Sequence, residues 1–173
     1  SGVISGAGGG INLGSTIGNG TLVLTGVNTY TGDTTVSSGE LRLNPSGNNS
    51  LSGAFTFNGG TLATTGITAS RTITFSSINL SENSTLALAN ATAHTLTFTA
   101  LGTLTAGKML TITGWTGASY FTGTTTGTNG KIFIGNSASL TASQLSQIRF
   151  NNGTNNFAAT QLTSGEIVPT LSL

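Results

Sequence analysis

Apolar and polar residues alternate along this chain with a period of two, in short bursts separated by turn residues. The pattern is clearest between Phe55 and Thr113, where Phe55/Phe57, Ile73/Phe75, Ile78/Leu80, Leu86/Leu88, Leu96/Phe98 and Leu110/Ile112 each bracket a smaller or polar residue. Successive side chains of a strand point to opposite faces, so each pair predicts a short strand with one buried face. Bursts of this kind, roughly 8 to 14 residues apart, predict an all-β sandwich, barrel or solenoid and exclude a βαβ protein. Gly20 to Leu43 compresses the pattern into one unit. Leu22 and Leu24 point inward, Gly26 breaks the run, Asn28, Gly32 and Asp33 supply a turn, and Val36, Leu41 and Leu43 resume the inward positions. A unit of about two dozen residues with one apolar face cannot bury that face alone, so it must stack on similar units as a β-solenoid. Helical periodicity occurs once, in LTASQLSQIRF, where Thr141 and Gln144 form a capping-box pattern and Leu145 and Ile148 share a face; a short helix is expected over residues 142–149.

The segment TGVNTYTGDTTVSSGELRL carries Asn28, Thr29, Tyr30, Thr31, Gly32, Thr34, Val36, Gly39 and Leu41 in an order similar to the autotransporter-associated β-strand repeat. Residues 1–43 resemble one full repeat with its lead-in, and FNGGTLATT at 57–65 resembles a degenerate second. The resemblance implies a secreted bacterial surface protein folded as a right-handed parallel β-helix, and it implies no activity. A second resemblance lies at the other end. WTG, KIFIG, LTASQLSQIRF and GEIVP follow one another in an order similar to the C-terminal module of repeat-bearing bacterial surface proteins; there a Pro-Glu-Pro sorting signal often follows, whereas here Thr-Leu-Ser-Leu follows Pro169, so that signal is expected to have been removed or sorting by that route is in doubt. Together these give one solenoid domain over 1–173: a family-like repeat (1–43), further coils (44–114) and a C-terminal capping and assembly module (115–173).

Composition narrows the function. Charged residues are 5% of the chain, glycine fills 26 of 173 positions, and mean hydropathy is +0.19. Disorder combines low hydropathy with high charge, so this chain folds. Five bases scattered against four acids leave a net charge of +1 and no nucleic-acid footprint. With no cysteine and a single histidine, His94, neither a disulfide framework nor a zinc site can be built. No stretch reaches the ~18 apolar residues of a membrane span, and the N-terminus shows no charged region leading into an apolar core, so any secretion leader is expected to have been removed.

Candidate chemistry is sparse. Asp33, Glu40, Glu82 and Glu166 are far apart in sequence, whereas glycoside hydrolysis needs two flanking carboxylates. His94 has no nucleophile elbow to serve and reads as an exposed turn residue. The sequence therefore predicts no catalytic residue, cofactor or metal, and a non-enzymatic extracellular structural protein. The uncharged stretch Ser1 to Ile17, with Val3 and Ile4, is one expected assembly surface; the tail EIVPTLSL, with Ile167, Val168, Leu171 and Leu173, is the other. Head-to-tail docking of the two would give a homopolymeric fibre or matrix. Two rivals stand beside it. Trp115, Tyr120 and Phe121 in the loop 115–129 could stack on a surface glycan in an adhesin, against the reading that they cover a rim of the core. Outward Thr-x-Thr rows (Thr72/Thr74, Thr95/Thr97, Thr111/Thr113) could form an ice-binding array, against plain strand propensity.

Overall fold

The computed structural model describes residues 2–14 and 19–171. It is a parallel β-solenoid with almost no helix, whose coils each lay three strand segments along three faces. The first coil holds β1 (Ser5–Gly6), β2 (Ile11–Leu13) and β3 (Thr21–Leu24). The second holds β4 (Thr29–Tyr30), β5 (Thr34–Val36) and β6 (Glu40–Leu43), and the third holds β7 (Asn49–Ser50), β8 (Phe55–Asn58) and β9 (Thr61–Ala63). Long strands then turn a corner without a break: β10 (Arg71–Glu82) is followed by β11 (Ser84–Ala87), and β12 (His94–Leu104) by β13 (Leu110–Thr113). In β10 the inward positions step from Phe75 to Ile78, three residues instead of two, with Ser76 and Ser77 both half-buried at the bend. Phe98 to Leu101 repeats the step in β12, one coil along.

Along the second and third faces successive coils pair as parallel ladders, with irregularities beside Leu80, and the ladders stack like on like. One inward column runs Leu22, Leu41, Leu62, Leu86, Ile112 and Phe150; another runs Leu13, Val36, Phe57, Leu80 and Leu104. The expected inward pairs from Phe55 to Ile112 are all buried. Phe55, Phe57, Phe75 and Phe98 meet in the middle, with centroids 4.6 Å apart for Phe55–Phe57 and 5.9 Å for the stacked Phe75–Phe98 pair. The polar residues of the repeat bind one coil to the next. Asn28, buried, accepts from the Ile4 amide at 2.9 Å and donates to the Gly26 carbonyl, while its own amide donates to Asn49 Oδ1. The Tyr30 hydroxyl meets Thr34 Oγ1 at 2.7 Å inside the core. Gly32 is required by contact, since a Cβ there would lie 2.6 Å from the Gly9 carbonyl; Gly39 is required by its φ of +67° as well.

The last coil departs from the pattern. β14 (Gly130–Ile134) continues the ladder of β12, but α1 (Ala142–Leu145) stands where the second strand would come, and β15 (Ile148–Asn151) follows. The expected helix over 142–149 is thus one turn long. Its capping box is present, with Gln144 N donating to Thr141 Oγ1 and Thr141 N to Gln144 Oε1, but Ile148 belongs to β15, where pairing with Leu110 buries it. The chain then reverses. β16 (Asn156–Gln161) and β17 (Ile167–Thr170) add two antiparallel strands to β15. The polar, turn-rich cluster 44–52 carries β7, because Asn49 and Leu51 turn inward.

Candidate functional site

The two ends of the solenoid differ, and both surfaces expected for assembly lie there. At the N-terminal end, among the described residues, β1, β2 and β3 pair on one side only, with β4, β5 and β6. Ile11, Leu13 and Leu22 are half-buried at the end of the core, and Val3 (59% exposed) and Ile4 (40%) stand in solvent. Ser1 and Ile17 of the stretch expected to dock lie outside the described residues.

The C-terminal end is closed by the hairpin β16–β17, by α1 and by the loop 115–129. Gln161 ties the first two together: its Oε1 accepts from the Ser139 and Leu140 amides and its Nε2 donates to the Ile134 carbonyl at 2.6 Å. The loop folds on itself through a Gly117–Gly127 bridge and lies against β17 through a Thr122–Thr170 bridge. Glu166 pins it. The carboxylate, 2% exposed, accepts from Gly127 N at 2.7 Å and from Thr126 Oγ1, while Phe133 bridges to Glu166 through the backbone.

The structure separates the residues singled out in the sequence. Trp115 is a core side chain, 2% exposed, edge-on to Phe150 and Tyr120, and Tyr120 turns its hydroxyl inward to the Trp115 carbonyl. Phe121 alone of the three rings is exposed. In the tail, Ile167 and Val168 are fully buried and already paired with β16, Leu171 is 53% exposed, and Leu173 lies outside the described residues. The Leu171 amide lies 3.4 Å from the Phe121 carbonyl, which sets these two exposed apolar residues side by side. That adjacency joins positions fifty residues apart across a loop, and no local pattern announces it.

His94 is a correction. It is buried, not an exposed turn residue, because the β12 ladder begins at it and carries its ring inward. Nδ1 lies 2.8 Å from the Thr92 carbonyl, to which it donates, and Nε2 lies 2.8 Å from Thr64 Oγ1. Burial lowers its pKa below the usual 6.5, with the bond to Thr92 opposing. The unfolded chain therefore takes up the proton first. Stability from His94 is complete above pH 6.5 and falls as pH drops through the lowered native value. Melting temperature followed from pH 7 to 5.5 is expected to fall in the wild type and to fall less in His94→Gln.

The four acids each have separate partners. Glu40 pairs with Arg42 and Glu82 with Lys108, both at 2.6 Å, Asp33 accepts from the Ala54 amide at 2.8 Å, and Glu166 holds the loop. Among the described residues no three His, Cys, Asp or Glu side chains group as a metal site would require, and no helix is long and apolar enough to cross a membrane. A groove of about 530 Å³ follows the corner between the third and first faces past Val3, Pro45 and Arg71. Comparison with curated proteins and with solved structures gave no match. The passenger-associated-transport-repeat family matches residues 17–43 and 38–63, so the second copy extends well ahead of FNGGTLATT. The matched repeats and the parallel solenoid that they begin both support a relation to the autotransporter repeats and to the structural passenger domains that contain them.

Proposed function

We propose that this chain is a non-enzymatic structural domain of the bacterial cell exterior, of the passenger type, which self-associates through the ends of its solenoid. One observation carries the reading. Among the described residues the large apolar side chains left exposed are Val3, Ile4, Val23, Phe121 and Leu171; the first three belong to the opening coil and the other two to the C-terminal closure. The coils between present Thr, Ser, Asn and a few charges to solvent, as in the outward row Thr61, Thr85, Thr111 and Arg149. The exposed large apolar side chains thus gather in the opening coil and the C-terminal closure, while outward Phe133 between them is half-buried, which suits association near the axis.

The burial of Trp115 and the inward hydroxyl of Tyr120 support this structural reading over a glycan-stacking loop, for which Phe121 alone remains. The outward threonine rows are short: Thr95 is followed by Lys131 and Thr97 by Phe133, so a regular array does not extend through the solenoid. Sedimentation velocity across a concentration series tests the proposal. The wild-type chain should associate, and Val3→Asp with Ile4→Asp should remain monomeric with an unchanged β spectrum. A wild-type monomer at every concentration would overturn it.

A further inference from the structure

We infer that the later half of β12, between Thr99 and Leu104, is a docking edge for a short extended peptide segment of a partner protein, uncharged and apolar at alternate positions, which adds a strand to the second face. This contact is separate from the self-association proposed above. The last coil meets β14 on the first face and continues through β15 on the third, but it adds no strand to β12 on the second. The chain nevertheless passes that level. Gly135 N donates to the Phe98 carbonyl at 2.8 Å, the Ser139 and Leu140 amides turn away to Gln161, and Gln147 Nε2 returns to the Thr105 carbonyl at 2.6 Å. The edge is therefore bracketed by the chain's own contacts, at Gly135 on one side and Gln147 on the other, and arises inside the fold.

Backbone groups stand open along it. The Phe98 carbonyl faces the β14 side, and Thr105 N donates to the Leu80 carbonyl at 2.8 Å, so alternation turns the amides and carbonyls of Ala100, Gly102 and Leu104 away from β10. The bulge between them leaves this intact. Asn79 stands opposite both Gly102 and Thr103, and its Oδ1 accepts from Thr103 N at 2.8 Å. Among the described residues the amides and carbonyls of Ala100, Gly102 and Leu104 meet no partner. The core is unfinished at the same place. Ile78 and Leu80 are 1% exposed, yet Leu101 and Leu104, inward on the next coil, are only half-buried, as are Leu140 and Leu145.

These features choose the occupant. Open amides and carbonyls recognise an extended chain, and half-buried leucines accept its alternate side chains. Residues 99–104 carry no charge, and Lys108 beyond the corner is already paired with Glu82 at 2.6 Å, so an ionic partner finds no counter-charge. A second copy of β12 fits poorly. Paired antiparallel about Gly102, outward Ala100 would oppose inward Leu104, because the bulge shifts the alternation between them. A segment of about six residues spans the edge between its brackets.

Residue-resolved hydrogen exchange with the capped peptide Met-Leu-Thr-Ile-Thr-Gly, a copy of residues 109–114, tests this. In the chain alone the Ala100, Gly102 and Leu104 amides should exchange freely, and saturating peptide should slow them about tenfold. The same peptide N-methylated throughout has no amide to donate and should not. Ala100→Pro removes a donor on the open side, where a strand tolerates proline, so the melting temperature should stay near that of the wild type while peptide affinity falls about tenfold. Protection of the three amides without peptide would mean that the protein itself fills the edge, and would overturn the proposal. Absence of binding, or binding that survives both N-methylation and Ala100→Pro, would overturn it equally. Self-association is read separately by sedimentation and stands or falls on its own.

Discussion

Phe98→Ala is expected to lower the unfolding free energy by about 3–5 kcal/mol, the range for removing a fully buried phenylalanine where the surroundings cannot collapse. Phe98 has no exposed surface and touches three other rings, with centroids 5.9 Å from Phe75, 6.2 Å from Phe55 and 6.5 Å from Phe57. Each of these is anchored to a strand paired on both sides, so the backbone cannot close the space. Dispersion contacts are lost from all three neighbours at once. Phe133 sits on the outward side of the same face, paired in register with Thr97, and is half-buried. Phe133→Ala should cost about 1 kcal/mol or less, as surface substitutions do. Urea midpoints measured on both variants check the contrast; equal shifts would mean that the inward register of β12 is misassigned.

The inward columns were legible because a solenoid repeats one local rule. Alternation of period two named Phe55/Phe57 through Leu110/Ile112 as buried, and stacking needs no more information than that each coil obeys the same rule. The three-residue step at Phe75–Ile78 and again at Phe98–Leu101 is also present in the sequence, and it marks the corner where the strand passes from one face to the next. Residues whose role depends on a distant partner were not legible. His94 looks like a turn residue in ATAHTLTF, and becomes a core residue only because Thr64, thirty positions earlier at the corner that follows β9, stands beside it. Glu166 looks isolated until the loop 115–129 folds back to offer Thr126 and Gly127. Trp115 reads as a loop aromatic, and the closure of the C-terminal end buries it. Helical periodicity in LTASQLSQIRF was real but short, because Ile148 gains a ladder with Leu110 that a second helical turn would forfeit.

Leu62→Asp is expected to prevent folding, or to cost several kcal/mol if the chain folds, whereas Thr61→Asp next to it should be within about half a kcal/mol of the wild type. Leu62 is fully buried in a column between Leu41 on one side and Leu86 on the other, and Thr61 faces outward on the same strand. A carboxylate at 62 would lose its water with no cation to meet it, since the nearest positions in its column are leucines. Relaxation offers little relief. Sliding β9 by one residue would turn Leu62 outward, bring Thr61 inward and break the register with both neighbours. Soluble yield and the β-type circular dichroism spectrum separate the two variants, and Leu62→Ala, expected to fold with a loss of about 2–5 kcal/mol, supplies a measurable unfolding curve where the aspartate variant gives none. A Leu62→Asp chain that melts like the wild type would mean that this face is not packed against the core. The parallel stack would then lack the apolar column on which its cohesion depends.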